Sequence, residues 1–156
     1  MSGQSELRRF RAGDEAALHR LIGETIDRSY APVYPPRALD FFKRFHDPET
    51  IRQRAGDGTI LVIEADGEPV ATGSLVDGEI FAVFVDPRRQ GEGLGRRLMA
   101  ALESAAREAG VRESVLSVSL PARAFYEGLG YEITETVSRP LGEGQSLDFW
   151  KARKRL

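Results

Sequence analysis

The sequence predicts an α/β fold with a mixed sheet, its elements ordered β-α-α-β-β-β-α-β-α-β-β. Three observations carry that prediction. Residues 59–85 hold three apolar, β-branched runs separated by Asp66-Gly67 and Asp77-Gly78, dipeptides that favour two-residue hairpins. Residues 94–109 then repeat apolar positions at helical spacing. Beyond Gly110, residues 115–118 return to a strand-like run, which after a helical crossover can pair in parallel with residues 80–85.

The elements follow in order. Residues 7–11 alternate apolar and basic side chains and read as a first strand. Asp14 is a good N-cap for a helix with Ala17, Leu18, Leu21, Ile22 and Ile26 on one face. A proline-rich connection with Tyr30 and Tyr34 leads to a second helix from Pro36 or Arg37, carrying Leu39, Phe42 and Phe45 and ending before Asp47-Pro48. Residues 48–57 carry the signal of one further helical turn. The strands at 59–65, 69–76 and 80–85 form an antiparallel meander, and Asp86 and Pro87 end it because proline donates nothing to a ladder. In the long helix Leu94, Leu98, Ala101, Leu102 and Ala105 share a face, and Gly110 stops it. A short helix over 122–129 ends at Gly130. Strands at 131–137 and 147–152 close the chain, joined by a loop holding Pro140, Gly142 and Gly144.

Composition narrows the function. At 156 residues the chain fits one domain over 1–156, long enough for a real core. A net charge of −2 disfavours a dedicated nucleic-acid binder, which carries a basic footprint. The absence of cysteine excludes disulfides, thiolate metal sites and a cysteine nucleophile. His19 and His46 have no partner at metal-ligand spacing, read as surface or helix-end residues, and no metal is expected. No apolar signal core or run of transmembrane length is present, so the expected location is cytoplasmic, with no membrane partner.

The most informative stretch is Gln90-Gly91-Glu92-Gly93-Leu94-Gly95, which opens the long helix. Its glycines remove Cβ atoms where backbone N–H groups lie free, the arrangement that holds an anion, most often a phosphate. Arg96 and Arg97 occupy the first helical turn, where the macrodipole disfavours cations, and an anionic ligand would supply the missing negative charge. Neither a dinucleotide fingerprint nor a P-loop fits. Five residues separate Val85 from Gly91, the third glycine comes one place early, and no Gly-Lys-Ser/Thr follows.

The run from Val83 to Leu98 resembles the acyl-CoA-binding motif of the GNAT superfamily of N-acetyltransferases, with Gln90, Gly93 and Gly95 at its defined positions. Residues 119–131 (SLPARAFYEGLGY) resemble the family's second motif, with Ser119 where asparagine is frequent. The resemblance implies a GNAT-like fold with splayed central strands and acetyl-CoA as acyl donor to a primary amine through a ternary complex. It implies that the backbone of Val83, Phe84 and Val85 binds the pantetheine arm. Gly91, Glu92, Gly93, Leu94, Gly95 and Arg96 would hold the pyrophosphate, with Gln90 shaping the loop. Arg88, Arg89 or Arg123 would reach the 3′-phosphate, and Ser119 would touch the cofactor directly, through water, or not at all. A homodimer stays open.

Acetyl transfer asks for amine deprotonation, oxyanion stabilisation and protonation of the sulfur. The resemblance assigns the oxyanion to a backbone N–H near Val83 and the sulfur proton to Tyr126, whose ordinary pKa near 10 exceeds that of a thiol. Glu79 is the candidate base, with Asp77, Glu24 and Asp27 as other carboxylates that would face an acceptor cleft. Tyr30 and Tyr34 read equally well as acceptor-site walls or as packing. The cations of the terminal KARKRL read as protection of an edge strand rather than a nucleic-acid arm. The competing reading is a non-catalytic acyl-CoA-binding sensor or partner module.

Overall fold

The computed structural model describes residues 4–156; residues 1–3, the start of the domain expected over 1–156, lie outside the described residues. The elements are β1 (Ser5–Arg9), α1 (Glu15–Thr25), α2 (Pro36–Phe45), α3 (Pro48–Asp57), β2 (Thr59–Ala65), β3 (Glu68–Val76), β4 (Glu79–Val85), α4 (Leu94–Glu108), β5 (Glu113–Ser119), α5 (Arg123–Gly128), β6 (Glu132–Gly142) and β7 (Gln145–Arg155). Among the described residues no helix is long and apolar enough to cross a membrane.

The strands form two antiparallel sheets, ordered β1-β2-β3-β4 and β5-β7-β6. β4 and β5 are neighbours, yet no ladder joins them, so the parallel pairing expected between 80–85 and 115–118 does not form. The cause is visible in β4. Its register against β3 slips between Thr72 and Ser74, and Ala82 takes φ +56°, a conformation costly for a residue with a Cβ. Such a bulge bends the strand and leaves its far edge unpaired. Gly73 lies at the slip, and a Cβ there would come within 2.7 Å of Leu102 Cδ1, so a larger residue would have to push that side chain of α4 aside.

The face of sheet one toward α4 packs Ile63, Ala71 and Leu75 against Leu98, Met99 and Leu102, and the core continues through Leu116 and Val118 into the second sheet. Full burial of each large side chain contributes about 1.5–3 kcal/mol. The opposite face packs Val62 and Phe84 against Leu18 and Ile22 of α1, Ile26 of the π-helical turn that follows it, and Ile51 of α3.

Several expectations are corrected. β1 lies two residues earlier than 7–11, and the segment 48–57 is a full ten-residue helix, capped by Asp47 accepting from the Thr50 N–H at 2.8 Å. Asp14 makes no side-chain cap; its carboxylate binds the Arg8 guanidinium at 2.9 Å and the Arg11 N–H at 2.8 Å. The strands expected at 131–137 and 147–152 extend into one long hairpin that turns at Glu143-Gly144. β7 is the central strand of its sheet, so its cations protect no edge: Lys154 pairs with the buried Glu103 at 2.9 Å.

Candidate active site

The loop after β4 and the start of α4 wall a cavity of about 520 Å³. Gly93, at φ +80°, is the N-cap of α4 and offers no side-chain acceptor. The helix ladder starts with Arg97 N–H donating to Gly93 O at 3.0 Å, so the amides before Arg97 are free of it. Gly91, Gly93, Leu94, Gly95 and Arg96 line the cavity, as do Gln90 and the free edge of β4 from Val83 through Phe84 to Val85. At Gly95 a Cβ would stand 3.0 Å from the Phe125 ring, which forms part of the opposite wall. Arg96 makes no ion pair among the described residues, whereas Arg89, also in the lining, is held by Asp66 at 3.4 Å and Glu92 at 3.7 Å.

A second cavity, of about 400 Å³, lies on the other side of the β4–β5 gap. Phe41, Phe45, Phe81 and Phe149 form its apolar walls, and Glu79, Arg139 and Lys151 its charged ones. Tyr30, Val83, Phe84, Ser119, Ala122 and Tyr126 belong to both cavities, so the two meet where the sheets part.

Tyr126 is 7% exposed, and burial pushes its phenol well above the ordinary value of 10. Its hydroxyl has no hydrogen-bond partner among the described residues. The ring is fixed from two sides, by Phe125 at 5.0 Å and edge-on by Tyr131 at 5.7 Å. Tyr131 is itself locked, its hydroxyl bridging Glu103 at 2.8 Å and Ser114 at 2.9 Å. Burial also raises the Tyr30 phenol, with the Ser119 hydroxyl offsetting part of the rise.

Other candidates fall outside the junction. The Glu92 side chain turns to the far side of the loop, toward Arg89. Arg123 lies outside the first cavity's lining, its guanidinium over Trp150 at 4.9 Å and beside Glu127 at 3.4 Å. Arg88 pairs with Asp86 at 3.2 Å and Glu24 at 3.6 Å. Arg97 binds Ser5 Oγ at 2.8 Å rather than facing the loop, so of the two arginines only Arg96 lines the cavity. Of the four carboxylates considered as base, Glu79 alone lines the second cavity; Asp27 pairs with Lys43 at 2.6 Å.

Tyr34 is buried packing, donating to Asp148 O at 2.8 Å and accepting from the Leu120 N–H at 3.0 Å. Burial raises its phenol to about 12, with the Leu120 N–H offsetting part of the rise. His46 caps the end of α2 but is buried, 4% exposed, and lines the second cavity. Burial, with the Arg54 charge beside it, lowers its pKa to about 3. It is therefore neutral at physiological pH. Sequence reasoning did not find Arg139, Phe149 or Lys151, which reach the site only through the β6–β7 register.

A family model for the acetyltransferase (GNAT) domain matches residues 30–142, most of the chain. The chain belongs to the GNAT acetyltransferase family. It is 47% identical to the mycothiol acetyltransferase of Kocuria rhizophila over 114 residues, 71% of this chain and 35% of that protein. The match to mycothiol acetyltransferase of Saccharomonospora viridis is 42% over 62 residues, 38% of this chain and 20% of that protein. The chain thus spans about a third or less of the curated relatives it matches. A GCN5-related N-acetyltransferase from Rhodopseudomonas palustris superposes with a TM-score of 0.88 at 22% identity, over 100% of this chain and 98% of that one. The PaiA N-acetyltransferase of Thermoplasma acidophilum, crystallised with coenzyme A, gives 0.78 at 17% identity, over 98% and 99%. At these identities the structural matches establish the fold alone.

Proposed function

We propose that the chain is an N-acetyltransferase that moves an acetyl group from acetyl-CoA directly to a primary amine, both bound at once. The observation that carries this reading is the meeting of two cavities at Tyr126, Val83 and Ser119, across the unpaired edges of β4 and β5. The first cavity suits acetyl-CoA. Free amides at the start of α4, with Arg96 beside them, match a pyrophosphate, and the free edge of β4 matches the amides of a pantetheine arm, added like a strand. Arg89 is the cation in this lining suited to a further phosphate.

Acetyl-CoA supplies an activated thioester, and the chain supplies position and protons. The bulge at Ala82 leaves the Val83 amide beside the gap, where it can donate to the oxygen on which negative charge develops. Tyr126 keeps its proton at all working pH values and gives it to the departing sulfur. Burial penalises phenolate and thiolate alike, so the transfer runs between two acids raised by the same cause. Glu79, at the open end of the second cavity, takes the amine proton directly or through water. A module that only bound acyl-CoA would have no use for a second cavity joined to the first at a buried tyrosine.

The experiment is thiol release from acetyl-CoA with a panel of primary amines, alongside thermal shift with acetyl-CoA, CoA, ATP and NAD. Stabilisation by acetyl-CoA and CoA with amine-dependent thiol release is expected; at 100 times the dissociation constant the stabilisation is about 2.7 kcal/mol. Stabilisation by ATP or NAD alone would overturn the reading.

A further inference from the structure

The acceptor cavity has a chemical character of its own. Phe41 and Phe45 stand 38% and 46% exposed, large apolar surface left facing the opening, with Phe81 and Phe149 completing the walls. Around this aromatic box the charge is one-sided. Arg139 and Lys151 flank the Phe149 ring, at 5.5 and 5.7 Å from its centroid. Lys151 Nζ is anchored by Ser117 Oγ at 2.8 Å, and neither cation forms an ion pair among the described residues. Ser117 is two residues along β5 from Ser119, about 7 Å, so this cationic end lies a short molecule's length from the junction.

A third cation stands behind the wall. Arg54 is 6% exposed, stacked on Phe81 at 4.9 Å and Phe45 at 5.5 Å, and it donates to Phe45 O and His46 Nδ1 at 3.2 Å each. No carboxylate pairs with it among the described residues. Burial lowers its pKa to about 10, so it stays charged at neutral pH. A buried guanidinium without a counter-charge is unfavourable, and an anion in the adjoining cavity relieves it. Against these three cations the lining offers one carboxylate, Glu79.

We infer that the acceptor is a free aromatic amino acid, its ring among Phe41, Phe45, Phe81 and Phe149 and its carboxylate between Arg139 and Lys151. This rests on the acetyl-transfer reading above and names the substrate class of that site. The volume of about 400 Å³ belongs to small-molecule pockets. The same positive potential lowers the pKa of a bound ammonium group, favouring the neutral amine that attacks. Polyamines and lysine-rich protein tails meet like charge and are disfavoured.

The test measures kcat/KM by thiol release for L-phenylalanine, for phenethylamine (same ring, no carboxylate), for L-alanine (same carboxylate, no ring) and for spermidine. L-Phenylalanine is expected to exceed each of the others at least tenfold, over phenethylamine by the worth of a charge-assisted contact and over L-alanine by burial of the ring. In the Arg139→Gln/Lys151→Gln double variant its advantage over phenethylamine should shrink to threefold or less. Calorimetric binding of acetyl-CoA by that variant reports that it is folded. Spermidine or phenethylamine used as well as L-phenylalanine, an advantage that survives the double substitution, or no turnover of any of the four by a protein that binds acetyl-CoA would each overturn the inference. The transferase reading would survive the first two. Failure to bind acetyl-CoA would remove both.

Discussion

Replacing Tyr126 with Phe removes one oxygen from the junction of the two cavities and little else. The ring keeps its contacts with Phe125 and Tyr131, and the hydroxyl has no protein partner to leave unsatisfied. Folding stability should therefore change by no more than about 1 kcal/mol. Catalysis should change far more, because the departing thiolate loses its proton donor inside a buried site. General-acid catalysis contributes 10²–10⁴-fold; with water able to enter from either cavity, we expect a 10²–10³-fold loss of kcat, about 2.7–4.1 kcal/mol of transition-state stabilisation. Acetyl-CoA affinity should move less than threefold, since the phenol protonates sulfur only as the bond breaks. Thiol-release kinetics at saturating amine, with calorimetry for acetyl-CoA, separate the two effects. A folded Tyr126→Phe protein whose kcat stays within threefold of the parent would refute the assignment.

Other substitutions probe other links. Arg96→Gln should weaken acetyl-CoA binding about three- to tenfold, whereas Arg97→Gln, whose guanidinium is engaged by Ser5, should leave it unchanged; equal losses in calorimetry would contradict the division. Lys154→Met leaves the buried Glu103 carboxylate without a counter-charge, held only by the Tyr131 hydroxyl, and should cost about 3 kcal/mol, a fall in Tm of about 6–12 °C by calorimetric scanning. His46 has its pKa lowered from 6.5 to about 3 in the folded state. The unfolded chain then binds the extra proton between those values, so stability rises with pH across that window. It should fall by about 1.4 kcal/mol per pH unit for this group below pH 6.5. Urea titrations at pH 4 to 7 should show a shallower slope for His46→Gln.

The sequence and the structure agree most closely where the signal is local. The hairpins at Asp66-Gly67 and Asp77-Gly78 are announced by their turn residues, and α4 by its apolar stripe. The anion loop is legible for the same reason, since its chemistry lies in consecutive backbone amides. Long-range pairing is less so. The Glu143-Gly144 turn lacks the asparagine or aspartate that marks such hairpins, and the largely exposed β6 alternates too weakly to show its eleven-residue length. In α3 only Ile51 and Arg54 are buried, too few for a readable stripe, although Asp47-Pro48 already held the cap signal. The second cavity is assembled from α2, β4, β5, α5, β6 and β7, so no window of sequence contains it. The burial of Arg54, and with it the one-sided charge, depends on Phe45 and Phe81 meeting across that distance.

In the proposed reaction acetyl-CoA and the amine occupy two joined cavities together, and the acetyl group crosses the β4–β5 gap once. Initial velocities measured while both substrates are varied test this most directly. Double-reciprocal lines that intersect are expected, with no acetyl group left on the protein after incubation with acetyl-CoA alone. Parallel lines, with acetylated protein detected by mass spectrometry and chased by amine, would contradict it.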